Sequence, residues 1–337
     1  MSRFLLKIRY LIEYIACLGA YFLLKLQPHF VVKAIAWFWG SFTYCLPQVN
    51  KLVNANIKTV FPEKGMREVK RIGRTSMINM LLNIFEFLWM VDRPRRIEKY
   101  TRIVPETVKS LTDYMADNTC LIMVNPHFGS WEASGLMVTY YLGMKLAAVA
   151  TPLDNPYLNK FFNSGNREKT GGMRIIFSQG AIRSAIKAMR EGMNIGLLID
   201  QNTKVRAGGV FVDFFGLPVP SSKAPAELAR FALNNEIKAD IVFGISLRDE
   251  NGILIGQVKS LQKPFEQYDD REMIQELTNI SEEFIRKYPE QYLWLYKRFA
   301  HIPRDIDEER KIRYPFYART VKKSFYSRVK NSKAKCL

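Results

Sequence analysis

The stretch Thr119-Cys120-Leu121-Ile122-Met123-Val124-Asn125-Pro126-His127-Phe128-Gly129-Ser130-Trp131-Glu132 decides how the chain folds. Its first six residues are a short apolar run, bounded by Asn118 on one side and Asn125-Pro126 on the other, which is the pattern of a buried strand. From Glu132 through Leu136, Val138 and Leu142 the pattern returns to helix. A strand, a turn carrying a histidine and a glycine, and a helix thus follow one another directly.

The same alternation extends outward in both directions. Residues 145–150 predict a strand, 181–191 a helix, and Asn194-Ile195-Gly196-Leu197-Leu198-Ile199 another buried strand that ends at Asp200. A helix over 224–233 precedes strands at 240–247 and 252–258, and a helix over 271–287 with the segment Tyr292-Leu293-Trp294-Leu295-Tyr296 closes the domain. Upstream, Val69, Ile72, Met77, Leu81, Ile84 and Leu88 keep helical spacing over 67–92, with Pro94 as the stop. Strands and helices alternating at this spacing predict an α/β fold, a central mostly parallel or mixed sheet flanked by helices.

The chain of 337 residues carries 50 Lys and Arg against 32 Asp and Glu, a formal charge of +18, which biases it toward anionic partners. Residues 311–337 contain nine Lys or Arg and no acid. Such a tail reads first as a solvated, poorly ordered end. The interleaved Phe316, Tyr317, Phe325 and Tyr326 give a second reading, contact with a membrane surface. No signature of a nucleic-acid-binding module accompanies the charge, so no nucleic-acid partner is expected. Cys17, Cys45, Cys120 and Cys336 form no CxxC pair, and there are three histidines; no metal site, cofactor or lipidated terminus is expected from these spacings.

The first 46 residues are rich in Leu, Ile, Phe, Trp and Tyr, but Lys7, Arg9, Glu13, Lys25 and Lys33 interrupt every window long enough to span a bilayer. What remains is one or two hydrophobic helices broken at Pro28, with Trp37, Phe38, Trp39, Phe42 and Tyr44 clustered as aromatics are at a membrane interface. A buried helical hairpin is the competing reading. The positive-inside trend places the main domain on the cytoplasmic side.

Ligand-handling residues in open α/β sheets gather at the carboxyl ends of strands. Two predicted strand ends carry reactive side chains, one at His127 and one at Asp200. Histidine is the side chain suited to take and return a proton near neutral pH. Glu132 lies five residues on, past Gly129; with His127 still in the loop, its carboxylate could reach the ring and fix the tautomer. A loop histidine followed by an ordinary first-turn acid is an equally good reading of the spacing alone. No GxSxG elbow appears and Ser130 has no sign of activation, so a working pair would activate a hydroxyl of the substrate.

His127-Phe128-Gly129-Ser130-Trp131-Glu132 resembles the HX4(D/E) box of the lipid A biosynthesis acyltransferases, the late or secondary enzymes related to lauroyl and myristoyl transferases. Asn166-Arg167, then Met189-Arg190-Glu191-Gly192, then Asp200-Gln201, then Gly208-Gly209-Val210-Phe211-Val212-Asp213-Phe214-Phe215-Gly216, Pro220-Ser221-Ser222 and Ala226-Glu227-Leu228-Ala229 follow the family's later segments in order. The resemblance implies a glycerolphosphate-acyltransferase-like fold and transfer of a fatty acyl chain from acyl carrier protein or coenzyme A to a hydroxyl of an anionic lipid A precursor, at the cytoplasmic face of an inner membrane. It implies His127 as general base oriented by Glu132, and Arg167, Asp200, Gly208, Gly209, Phe211 and Phe215 as substrate-binding candidates. For these six, structural roles compete: a surface arginine, a turn-capping Asp, loop glycines and core aromatics. The implied organisation is membrane-associated helices over 1–46, a catalytic domain over 47–308 and a basic tail over 309–337. A non-catalytic lipid-binding protein, and an enzyme acting on a lysophospholipid, aminolipid or glycolipid, are the alternatives; glycerolipid enzymes usually carry Asp where this chain has Glu132.

Overall fold

The computed structural model describes residues 3–170, 172–177 and 180–327. Two helices, α1 (Arg3–Leu26) and α2 (His29–Cys45), are followed by α3 (Pro47–Val60), α4 (Met66–Met90) and α5 (Pro94–Tyr100). The chain then alternates through β1 (Thr101–Ile103), α6 (Pro105–Ala116), β2 (Cys120–Asn125), α7 (Trp131–Leu142), β3 (Leu146–Ala150), α8 (Pro156–Phe162), β4 (Met173–Phe177), α9 (Ala181–Arg190) and β5 (Asn194–Leu198). A hairpin of β6 (Gly209–Phe214) and β7 (Leu217–Ser222) leads to α10 (Ala224–Asn234), β8 (Ala239–Arg248), β9 (Leu254–Ser260) and α11 (Asp270–Lys287).

Seven strands form one sheet in the order β1-β9-β8-β2-β5-β3-β4. Every neighbouring pair is parallel except β8 with β9. The predicted α/β fold with a mixed sheet is what the chain adopts. Strand β2 lies in the middle of the sheet between β5 and β8, and helices pack on both of its faces, which is why its sequence is continuously apolar. Cys120, Ile122 and Val124 face the core shared with α9, α10 and α11, while Leu121 and Met123 face the smaller core with Leu111 of α6 and Val138 of α7.

Several elements have no clear period in the sequence. Strand β4 is an edge strand, and β6 pairs only with β7 and packs on α11. Helix α4 stops at Met90, before the proline, and Pro94 instead opens α5, a favoured first-turn position because proline lacks only an N–H that the helix leaves unbonded there.

Pro28 separates α1 from α2, as the sequence predicts. Neither competing reading of this region holds alone: Leu24, Val32 and Ala36 are buried against α4 and α7, whereas Phe4, Ile12, Phe22, Phe30, Trp37 and Trp39 are exposed. Tyr44 leaves the aromatic cluster, being buried and bonded to Asn54 at 2.7 Å. Among the described residues no helix is long and apolar enough to cross a membrane. A buried carboxylate, Glu86 of α4, ties the region to the sheet, pairing with His29 of α2 at 2.7 Å and Arg248 of β8 at 2.6 Å.

The tail also departs from expectation. Through residue 327 it packs on the body: Phe325 is buried and lies tilted against the rings of Phe211 and His301, and the Tyr317 hydroxyl donates to Asn56. A solvated end is therefore the wrong description of 311–327, because Tyr314, Tyr317 and Phe325 pack against the body while Ile312 and Phe316 stay exposed. Residues 328–337, with Cys336, lie outside the described residues.

Candidate active site

Strands β2 and β5 are parallel neighbours with Asn125 opposite Leu198. Two residues past each of those positions stand His127 and Asp200, so the register itself sets them side by side. The imidazole Nδ1 and the Asp200 carboxylate are 2.7 Å apart, and the His127 backbone N–H donates to the other carboxylate oxygen at 3.0 Å. Both side chains are nearly buried, 14% and 10% exposed. Asp200 thus holds His127 at two points and does not cap a turn.

Glu132 is placed differently from the expectation that it orients the imidazole. Its carboxylate takes two hydrogen bonds from Arg167, one from Nε at 2.9 Å and one from a terminal nitrogen. Arg167 ends a π-helical turn, Asn163–Arg167, and also donates to Asn163 at 2.8 Å. The physical reason is the direction of α7: once Trp131 begins the helix, the Glu132 side chain in the first turn faces the turn after α8, whereas His127 lies in the preceding loop. The carboxylate that fixes the ring comes from the adjacent strand end instead.

The loop between them is rigidly built. Gly129 has φ +60°, and a Cβ there would stand 2.0 Å from the Ser246 carbonyl oxygen, so this position requires glycine. Gly129 N–H donates to the Gln291 carbonyl and Ser130 N–H to the Ser246 carbonyl, both at 2.8 Å, and Leu293 N–H donates to the His127 carbonyl at 3.1 Å. Residues 291–293, at the start of the segment read from sequence as the domain's close, therefore brace the loop that carries His127. Ser130 is fully buried and donates to Asn83 of α4 at 2.9 Å. A hydroxyl so engaged is no nucleophile. Asn83 also accepts from the Glu132 backbone N–H at 3.3 Å, and nothing in the sequence of α4 marks it beyond being a polar residue at a core position.

His127, Trp131, Glu132 and Arg167 line one cavity of about 680 Å³ together with Gln201 and apolar residues of β3, β5 and α4. The Trp131 ring stands edge-on to the imidazole at 5.2 Å, and the Gln201 amide nitrogen is 3.5 Å from His127 Nε2. Beneath α7 lies a smaller space of about 50 Å³, lined by Leu111, Met123, Met137, Val138, Gly244 and Gly256. It shares Asn125, Ser134, Gly135, Leu146 and Gly196 with the large cavity.

Five of the sequence candidates, Asp200 behind the imidazole and four others, are not among the residues lining this cavity. Gly208 is a left-handed residue after a short helical turn, and a Cβ on Gly209 would strike the Thr203 carbonyl oxygen at 2.0 Å. Phe211 lies tilted against the rings of Phe325 and Tyr326, and Phe215 is buried beside Phe61 and Phe214. They travel with β6 and its turn, which pair away from the main sheet.

Burial disfavours the charged imidazole of His127, but the Asp200 charge, its hydrogen bond and the nearby Glu132 outweigh this and raise its pKa above the ordinary 6.5. Burial would raise Asp200 as well, yet its bonds to His127 and the Arg298 guanidinium hold it below the usual carboxylate range. An ionised Asp200 only accepts hydrogen bonds, so the ring proton sits on Nδ1 and the Nε2 lone pair is free to take another.

The profile of the bacterial lipid A biosynthesis acyltransferase family matches residues 1–301 of this chain. The chain is also 22% identical over 261 residues, 76% of its own length and 80% of the relative's, to the lipid A biosynthesis lauroyltransferase of Escherichia coli (strain K12). With the family matched over most of its length and a buried histidine–aspartate couple facing a cavity, the chain belongs to the bacterial lipid A biosynthesis acyltransferases and is an acyltransferase.

Proposed function

We propose that the protein transfers a fatty acyl chain from a thioester, acyl carrier protein or acyl-coenzyme A, to a hydroxyl of a lipid A precursor. The observation that carries this reading is the orientation of His127, whose Nδ1 is held by Asp200 while its ring lines a cavity large enough for a lipid chain. In this mechanism Nε2 takes the proton of the acceptor hydroxyl as its oxygen attacks the thioester carbon. The carbon–sulfur bond then breaks, and the imidazolium returns the proton to the departing thiolate. Gln201 lines the same cavity beside the imidazole and supplies a donor for the oxyanion that forms in between, with the Arg167 charge on the cavity wall. Glu132 acts with Arg167 as a wall of the site.

The exposed apolar side chains of α1 and α2 support association of these helices with a membrane surface. The excess of cations, +18 overall, suits an anionic lipid and an acidic carrier at the cytoplasmic face. The test is direct: purified protein, given a labelled dodecanoyl thioester and a lipid A precursor in vesicles, is expected to attach one acyl chain to the precursor. Transfer to a lysophospholipid with the precursor left unmodified would assign a different acceptor.

The small space beneath α7 is read as the end of the acyl groove. Its floor carries Gly196, Gly244 and Gly256, where side chains would otherwise fill it, and the flexible Met123 and Met137 line it. A Cβ on Gly256 would sit 3.1 Å from the terminal methyl of Met137. Gly256→Val is therefore expected to shift kcat/KM toward shorter thioesters by roughly tenfold, the order set by a few methylenes in an apolar pocket. An unchanged ratio between fourteen- and ten-carbon donors would place the chain elsewhere.

A further inference from the structure

Behind Asp200, on the side away from the cavity, lies a second buried polar group with no part in the mechanism so far. Arg298 is 3% exposed, and it follows the 291–296 segment that walls the His127 loop. Its guanidinium donates to neutral acceptors, the Asn202 side chain at 3.2 Å, the Pro220 carbonyl at 3.0 Å and the Ser221 hydroxyl, and its Nε has no partner. The Phe214 ring covers it at 5.7 Å. Tyr292 is also buried, and burial and the nearby Asp200 charge keep its hydroxyl protonated, its pKa pushed well above the ordinary 10. Asp200, Tyr292 and Arg298 line one small internal space of about 10 Å³.

A buried cation bonded only to neutral groups needs a compensating anion nearby, and the carboxylate that shares its pocket is Asp200. We infer that Arg298 and Tyr292 are positioning residues of the proton-transfer couple, fixing the Asp200 carboxylate and balancing its charge from behind so that His127 keeps a neutral, correctly oriented ring. The inference rests on His127 acting as the base. The remaining titratable groups facing the couple do not duplicate this role. Glu132 is paired with Arg167, and the Tyr296 hydroxyl accepts from the Asn202 backbone N–H at 2.9 Å.

The sign of the effect follows from electrostatics. Removing the guanidinium leaves the Asp200 charge unopposed, which stabilises the imidazolium and makes the base harder to deprotonate. Losing the Tyr292 hydroxyl acts in the same direction, because it removes a neutral polar group from the small space that Asp200 shares.

The experiment is the pH dependence of kcat/KM for transfer from dodecanoyl-coenzyme A to a lipid A precursor, with folding followed by circular dichroism. Arg298→Met and Tyr292→Phe are expected to move the acid limb to higher pH by up to about one unit, a loss of up to tenfold on the acid side that is recovered at high pH. Arg298→Lys, which keeps the charge, is expected to keep the limb of the parent enzyme. Folded variants that lose activity equally at every pH, or not at all, would overturn the inference and reduce Arg298 to a structural clamp. Tyr292→Phe, which removes a single oxygen, decides the matter if the Arg298 variants do not fold. Acyl transfer that survives His127→Ala would instead overturn the underlying reading of the base.

Discussion

His127→Ala is expected to abolish acyl transfer, with kcat falling by at least the ~10²–10⁴-fold typical of a lost general base. The substitution removes the group whose ring lines the cavity beside Trp131 and Gln201. None of the other histidines can replace it: His29 is engaged by Glu86, and His301 lies against Phe325. The fold is expected to survive at a cost of about 1–3 kcal/mol, because Asp200 loses a buried partner but keeps the backbone N–H of residue 127. Steady-state transfer measured beside urea unfolding separates the two effects. Substantial activity in a folded variant would remove His127 from the mechanism.

Asp200→Asn tests the partner that the register supplies. The amide can present its N–H₂ to Nδ1, which favours the tautomer with the proton on Nε2 and takes away the lone pair that must accept the acceptor's proton. A loss of roughly 10²–10⁴-fold in kcat is expected, comparable with removing the base. The pH profile moves in a defined direction. In the parent enzyme the acid limb is expected above the ordinary imidazole value of 6.5, since Asp200 and Glu132 together outweigh burial. Without the Asp200 charge burial dominates and the limb of the residual activity falls to lower pH. A limb that stays in place would mean that Asp200 does not set the basicity of His127.

The sheet was legible because its central strands lie inside the fold, β2 buried on both faces and β5 on one face with the cavity on the other. Residues 119–124 and 194–199 read as continuous apolar runs for the same reason that β2 and β5 sit in the middle. Strand β4, at the edge, has no such constraint, and the β6–β7 hairpin packs on α11 outside the sheet, so neither announced itself. His127 and Glu132 stood out through chemistry and spacing. Asp200 and Arg167 stood out as well, but not as their partners: Asp200 is 73 residues from His127 and Arg167 is 35 from Glu132, and only the fold brings such distant positions together. Once β2 and β5 are known to be neighbours, the Asp200 contact follows from register alone. Asn83, Tyr292 and Arg298 carry no local signal, because a polar residue in an apolar helix or loop reads the same whether it braces a site or merely satisfies a backbone group.

The central claim is direct transfer from the thioester to a lipid hydroxyl, with the Asp200-held His127 moving the proton and no acyl group passing through the protein. Its most direct test is a single turnover of purified enzyme with dodecanoyl thioester and lipid A precursor, stopped in acid, with the masses of both protein and lipid recorded. A lipid heavier by one dodecanoyl group and a protein of unchanged mass at every time point are expected. A transient protein species carrying the acyl chain, formed and consumed at the rate of turnover, would contradict it.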